Sequence, residues 1–307
     1  MPLFSVIIPA YNRFESLKKA VESVKGQSLT DHEIIVVDDG STDDTPLIKE
    51  IYPDIRYIHR ENRGVSSARN TGIRESSAEW IAFLDSDDTW LPGKLETQLT
   101  FIREHPGIRL HQTEEIWIRG GVRVNPGRKH KKTGGYIFRE SLELCLISPS
   151  AVVMHRSLFE QYGMFDERLM ACEDYDLWLR ITPFEEAGLI PEYHVIRNGG
   201  HDSQLSAKYP MMDAFRVYSI LKLLREKKGV MKKGDIKAAG ETALSKIKIL
   251  TQGAAKRGRT EESGLWLETA GLIKNGSYNS INDQTLEKIS TLPLIERHRM
   301  CQGETIP

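Results

Sequence analysis

Three carboxylates crowd the segment Asp85-Ser86-Asp87-Asp88, directly after the apolar run Ile81-Ala82-Phe83-Leu84. Charges packed so closely repel one another, and their pKa values rise unless a cation or basic groups compensate. A divalent metal resolves the conflict, and hard oxygen ligands suit Mg2+ or Mn2+. Held by only one or two carboxylates, such an ion keeps room for substrate phosphates, which is the chemistry of nucleotide diphosphates. The competing reading is structural, with Asp87 or Asp88 capping a helix that begins near Leu91. A cap needs one Asp and not three, which favours the metal. Asp38-Asp39-Gly40-Ser41 is a second acidic strand end. Its carboxylates can accept from the N–H of a base or from sugar hydroxyls, although Asp-Gly is also an ordinary turn signal. Tyr11 offers a ring to stack on a base, although a Tyr beside a turn is commonplace.

Alternating strands and helices must position these groups. Phe4 to Pro9 is a continuous apolar run, the mark of a strand covered on both faces. After Asn12, read as an N-cap, Leu17, Ala20, Val21 and Val24 recur with helical spacing, and Gly26 can end that helix. Strands are predicted at Glu33–Val37, Ile55–His59 and Trp80–Leu84. Helices are predicted from Thr45, over Gly64–Glu75 and over Leu91–Glu104. Units of this kind imply a mainly parallel sheet flanked by helices, with ligands beyond the carboxyl ends of the strands. Further on, Ala151–His155 reads as a strand, Glu173–Ile181 as a helix anchored by Leu177, Trp178 and Ile181, and residues 194–206 as a polar segment. From Arg119 to Lys132 six basic residues, with Gly and Pro, read as a mobile basic loop.

The 307 residues carry 42 Lys+Arg against 43 Asp+Glu, for a net charge of −1, which argues against a dedicated nucleic-acid binder. No run of 18 apolar residues exists, and the N-terminus lacks the basic start of a signal peptide. Cys145, Cys172 and Cys301 have no CxxC spacing, so the expected setting is reducing and cytoplasmic. Beyond about Met211 only helical stripes remain: Phe215, Tyr218, Leu221 and Leu224; Ala239, Ala243, Leu244, Ile247 and Leu250; Leu265, Trp266, Ala270 and Ile273. Residues 216–259 hold 13 Lys/Arg against 3 Asp/Glu. Such helices suit either the solvated faces of a small bundle or peripheral contact with the cytoplasmic face of a membrane.

In combination the motifs are specific. Val6-Ile7-Ile8-Pro9-Ala10-Tyr11-Asn12, Ile35-Val36-Val37-Asp38-Asp39-Gly40-Ser41-Thr42-Asp43, Asn62-Arg63-Gly64-Val65-Ser66-Ser67-Ala68-Arg69-Asn70-Thr71-Gly72 and Phe83-Leu84-Asp85-Ser86-Asp87-Asp88 closely resemble, in order and spacing, the family 2 glycosyltransferases of GT-A fold. Cys172-Glu173-Asp174-Tyr175-Asp176-Leu177-Trp178-Leu179-Arg180 resembles that family's Glu-Asp motif. The resemblance implies a GT-A (Rossmann-like) catalytic domain over residues 1–205 and an α-helical C-terminal region over 206–307. It implies an inverting transfer of a sugar from a nucleotide-diphosphate sugar, a UDP-sugar above all, to a hydroxyl acceptor such as a glycan or lipid-linked glycan. It places Pro9, Tyr11, Asn12, Asp38, Asp39, Arg69, Asp85 and Ser86 at the nucleotide. It puts Asp87 at the metal, Mn2+ or Mg2+, with Asp88 and Trp178 in the active site; His201 falls either near the metal or, in the alternative reading, on a loop as a neutral histidine. The resemblance makes Asp174 the general base, a role Glu173 can share; the alternative for Asp174 is to cap the helix through Trp178.

Two rivals deserve weight. Asp85-Ser86-Asp87-Asp88-Thr89 satisfies the DxDx[TV] pattern of haloacid dehalogenase-type Mg2+ phosphatases, but about 80 residues precede it and the other motifs would lack purpose. A non-catalytic sugar-nucleotide-binding protein is the other. An EF-hand fails because Trp90 stands where the loop needs Gly, and a dinucleotide fold fails because Pro9-Ala10-Tyr11-Asn12 replaces GxGxxG.

Overall fold

The computed structural model describes residues 1–125, 127–200 and 208–301. The chain forms two compact units that interleave along the sequence. One comprises residues 1–137, 146–170 and 185–200; the other comprises 138–145, 171–184 and the described residues from 208 onward.

The first unit is built on β1 (Phe4–Ala10), which is buried at every position. A strand covered on both faces belongs in the middle of a sheet. β1 indeed lies between β2 (His32–Asp38) and β4 (Trp80–Phe83), parallel to both, and β3 (Arg56–His59) continues the parallel array beside β2. Phe4, Val6 and Ile8 pack on the side of α1 (Phe14–Lys25), whose buried face is Leu17, Ala20, Val21 and Val24. The opposite side carries Ile7, under α3 (Val65–Glu75), which follows the short α2 (Ile48–Ile51). Gly72 lets α3 come that close: a Cβ there would stand 2.3 Å from Ile7 Cγ2.

The uninterrupted parallel array comprises these four strands. The remaining strands are β5 (Thr89–Trp90), β6 (Leu110–Arg119), β7 (Val122–Val124), β8 (Val152–His155) and β9 (Ala187–Gly199). The sheet order is β3-β2-β1-β4-β8-β6-β9-β5, with β7 beside β6. β8 runs antiparallel to β4 and β6, β9 runs parallel to β6, and β5 runs antiparallel to β9. Beyond β4 the sheet is therefore mixed. Part of the expected basic loop is a hairpin of β6 and β7, turned by Gly120 and Gly121 at positive φ. At its far end Lys132 is buried, with its ammonium 3.3 Å from Glu115 and donating to the Thr113 carbonyl at 3.0 Å. α4 (Lys94–Glu104) starts three residues later than expected, and α6 (Ser157–Tyr162) completes the described helices of this unit, after α5 (Phe138–Glu143) of the other.

The second unit is helical among its described residues. With α5 it holds α7 (Glu173–Ile181), α8 (Met212–Lys227), α9 (Lys233–Lys256), α10 (Thr260–Lys274) and α11 (Asp283–Cys301). Phe215, Tyr218, Leu221 and Leu224 are all fully buried, as their spacing requires. Part of the basic excess of this region meets carboxylates brought from elsewhere in the unit. Lys222 pairs with Asp176 at 3.1 Å, Arg225 with Asp283 at 2.7 Å, Lys246 with Asp213 at 3.4 Å, and Arg259 with Glu296. That pairing accounts for these cations as bundle electrostatics. No described helix is long and apolar enough to cross a membrane.

Candidate active site

Parallel strands end on one rim, and the register carries the motifs there. Ala10 pairs with Asp38, Asp38 with His59, and Ile7 with Phe83, so the segments after β1, β2, β3 and β4 emerge side by side. The first two are laced together. The Asp39 amide donates to the Ala10 carbonyl at 2.9 Å, the Asn12 amide to Ser41 Oγ at 2.8 Å, and the Thr42 amide to Asn12 Oδ1 at 2.8 Å. Asn12 is thus not the cap of α1. Its side chain is committed to Thr42, and amides at the start of the helix find Thr45 Oγ1 (from Arg13, 3.1 Å) and Asp43 Oδ2 (from Phe14, 3.4 Å). Gly40 permits the tight passage at φ +83°, where a Cβ would lie 2.8 Å from the Asn62 amide nitrogen. Tyr11 is 45% exposed and presents its ring at the rim, whereas Pro9 is buried within β1.

Asp38 and Asp39 do different things. Asp38 accepts from the Ser41 amide at 2.9 Å, from the Tyr57 hydroxyl and from His59 Nδ1 at 3.1 Å. Burial pushes its carboxyl up, but these hydrogen bonds to the ionised form outweigh burial and leave it below the ordinary value. Asp39 accepts from Arg60 Nε at 2.9 Å and from the amides of Arg63 (3.1 Å) and Gly64 (2.7 Å). It thereby fixes the approach to α3. From α3, the buried Arg69 reaches across to Asp85 Oδ1 at 2.6 Å, with its guanidinium 5.3 Å from the Phe165 ring centroid.

The acidic turn after β4 is held by four groups. Arg13 Nη1 pairs with Asp87 Oδ2 at 2.8 Å, and Arg69 pairs with Asp85. Ser150, fully buried, accepts from the Asp85 amide at 3.1 Å and donates to Asp88 Oδ2 at 2.7 Å. Asn198 on β9 donates its amide to Asp88 Oδ1 at 2.9 Å and its side chain to the Asp87 carbonyl at 2.8 Å. Burial, and after it the charges of Asp85 and Asp87, push the Asp88 carboxyl well above the usual carboxylate range, against the pull of Ser150 and Arg197. Ser86 is buried within the turn. The helix-capping alternative fails: α4 begins behind Gly93 with no side-chain cap.

In the helical unit, Glu173 and Asp174 open α7, where the N-terminal end of the helix favours negative charge. Asp174 is not the N-cap, a position taken by Cys172 at φ 60°. Asp174 Oδ2 accepts from the Cys145 thiol at 3.4 Å, and Asp174 is partly exposed, whereas Glu173 and Trp178 are buried. Asp176, which the motif did not single out, forms a buried triad with Arg180 (2.9 Å) and Lys222 (3.1 Å). His201 lies outside the described residues.

Residues 5–163 match the family model Glycosyl transferase family 2. The chain belongs to that family. A glycosyltransferase of Rickettsia bellii, described as uncharacterized, is 39% identical over 184 residues, covering 58% of this chain and 26% of its own length. The Escherichia coli protein WfaP, a UDP-Glc:alpha-D-GlcNAc-diphosphoundecaprenol beta-1,3-glucosyltransferase, is 32% identical over 189 residues, covering 59% of this chain and 70% of its own. This family 2 chain thus spans between about a quarter and two thirds of the first several curated relatives it matches. In fold it is similar to S. aureus TarS 1–349 in complex with UDP, with TM-score 0.65, 18% identity, and coverage of 99% of this chain and 92% of that one. It is also similar to the Pyrobaculum calidifontis mannosyltransferase PcManGT with GDP-Man and Mn2+, with TM-score 0.54, 16% identity, and coverage of 97% and 87%. The expected GT-A architecture with C-terminal helices is thereby borne out, and membership sets aside the phosphatase reading of Asp85 to Thr89.

Among the described residues of this family 2 chain, no group of three or more His, Cys, Asp or Glu could hold a metal by itself. Mg2+ and Mn2+ do not need one, since one or two carboxylates suffice when a substrate's phosphates complete the shell. Asp85 and Asp87 fit that donor set, with hard oxygens on side chains 33% and 21% exposed at the rim. Arg13, Ser150 and Asn198 escaped the sequence reading. Arg13 could have been found by asking which neighbour offsets so acidic a turn; Asn198 sits in a segment noted only as polar, and nothing in the sequence marks Ser150.

Proposed function

We propose that this chain is a metal-dependent, inverting glycosyltransferase that moves a sugar from a nucleoside-diphosphate donor, a UDP-sugar, to a hydroxyl acceptor on a lipid-linked or surface-polysaccharide intermediate. One observation carries the reading: an acidic turn bracketed by two arginines stands on the same rim as an exposed tyrosine, beyond the ends of four parallel strands. Support for the donor and acceptor classes comes from the UDP donor and diphosphoundecaprenol acceptor in WfaP's name and from UDP in the TarS complex.

In this reading Tyr11 stacks on the base, and the Asp38 and Asp39 loops shape its pocket. Asp85 serves the ribose, and Arg69 steadies the diphosphate side. Asp87, with Asp85 beside it, would hold Mn2+ or Mg2+, which supplies positive charge against the departing diphosphate. Asp174 takes the proton of the acceptor hydroxyl as its oxygen bonds to the anomeric carbon. In the same displacement the bond from that carbon to the diphosphate breaks, and its electron pair leaves with the nucleoside diphosphate. The anomeric centre inverts and no enzyme nucleophile is needed. Calorimetric titration of a nucleotide-sugar panel, with and without Mn2+, tests the reading. UDP species that bind, and bind tighter with Mn2+, are expected; binding indifferent to nucleotide and metal would overturn it.

A further inference from the structure

We propose that Trp117 and the cations gathered on it, on β6 and β9 beside the acidic turn, form a second anion site that takes a phosphate group of the acceptor. This rests on the reading of the rim as a donor site and deepens it, by making the acceptor phosphate-bearing and placing that phosphate.

Trp117 stands on β6 opposite Arg197 of β9. Its indole N–H donates to Glu115 Oε2 at 3.3 Å, and Glu115 is itself buried and paired with Lys132, so the ring is anchored. Three basic groups meet that ring: the Arg197 guanidinium carbon 5.1 Å from its centroid, that of Arg119 at 5.9 Å, and the His130 ring at 5.2 Å. Arg197 also answers Asp88 and Glu115, whose ionised forms its charge favours. Arg119 and Lys129 have no such counterpart: both are exposed, and neither pairs with a carboxylate among the described residues. Burial, and after it the charges of Lys129, Arg197 and Arg119, push the His130 pKa down. The cations thus act on one spot, with a neutral imidazole among them. A guanidinium over an aromatic face keeps its in-plane N–H donors for a ligand, in the fork that matches phosphate. Two uncompensated charges match the nearly two negative charges of a phosphate monoester.

Sheet order separates this cluster from the donor residues. The nucleotide segments follow β1, β2 and β4, whereas Trp117 and Arg197 lie past β8, on β6 and β9. The acidic turn joins the two regions. It runs into β5, whose Thr89 pairs with Ile196 next to Arg197, and Asn198 on the other side of Arg197 bonds Asp87 and Asp88. An anion held at Trp117 therefore sits alongside the turn and beyond the nucleotide side, where an acceptor and not the donor's diphosphate belongs.

The test is calorimetric titration of glucose 1-phosphate, with uncharged glucose as control, into the full chain saturated with UDP and Mn2+. The ester should bind at least about tenfold more tightly than glucose, the worth of one charge-assisted hydrogen bond. Arg119→Gln should weaken the ester about tenfold and Lys129→Gln less, each leaving UDP affinity unchanged; both side chains are exposed, so neither change threatens the fold. Ester binding no tighter than that of glucose, or unaltered in the double variant, in a protein whose UDP binding still responds to Mn2+, would overturn the acceptor site and leave the donor reading intact. UDP binding that ignores Mn2+ in wild type, with ester binding still weakened by Arg119→Gln, would instead overturn the donor reading.

Discussion

Ser150→Ala removes one oxygen from the middle of the acidic turn. That oxygen accepts the Asp85 amide at 3.1 Å and donates to Asp88 Oδ2 at 2.7 Å. Ser150 is fully buried and Asp88 is 3% exposed, so water cannot replace the bonds without opening the turn. Stranding a buried donor or acceptor costs about 1–3 kcal/mol for each group. With partial relaxation the two losses sum to about 2–4 kcal/mol, which for a unit of this size lowers the melting midpoint by about 5–15 °C. Adding Asp88→Ala to Ser150→Ala should cost less than the separate effects summed, since both changes delete the same bond. Because Asp85 and Asp87 ride on this turn, UDP affinity in the presence of Mn2+ should fall about tenfold. Differential scanning calorimetry and UDP titration make the measurement. A midpoint within a degree of wild type, with additive double-mutant energies, would refute the claim that Ser150 holds the turn.

Asp87→Ala should abolish the effect of Mn2+ on UDP affinity; titrations still separated by added Mn2+ would contradict its role. Asp174→Asn should bind UDP-sugar like wild type yet lose about 100-fold or more of transfer, and unchanged turnover in a radiolabelled-sugar assay would remove it as base. His111 is buried between Phe101 and Trp80, and its ring nitrogens find no hydrogen-bond partner among the described residues. Burial, and then Lys94, lower its pKa to about 3. The unfolded chain, titrating near 6.5, binds the extra proton in between, so this contribution is complete above about pH 6.5 and is lost as pH falls toward 3. The loss is about 2 kcal/mol by pH 5. His111→Leu should flatten stability against pH over that window, and urea melts at pH 7.5 and 5 that decline as steeply as wild type would refute it.

The sequence was most readable where apolarity was continuous or periodic. β1, β2 and β4 are built on apolar runs (residues 6–10, 34–37 and 80–83) because both faces are covered there, and α1, α3 and α7 lie close to where their spacing put them. β6 was missed for the opposite reason. His111, Gln112, Thr113 and Glu115 are buried polar residues, two of them tied to Lys132 from a distant segment, so the first half of the strand after Leu110 carries no apolar signature. β9 likewise alternates too little to separate from loop. At the site, the acidic clusters were legible because like charges at short spacing demand an explanation. The residues that answer them were not, since Arg13, Ser150 and Asn198 are 74, 62 and 110 residues from their partners.

Asp39 spends its carboxylate on Arg60 and on the backbone of Arg63 and Gly64, so the run-in to α3 is hung from the end of β2. Losing those bonds would loosen the start of the helix and, with it, the guanidinium that steadies Asp85. A mutant scan scored by nucleotide affinity would then register a slackened cable as a lost handhold on the base, and only a side-by-side look at Arg69's own contacts would tell the two apart.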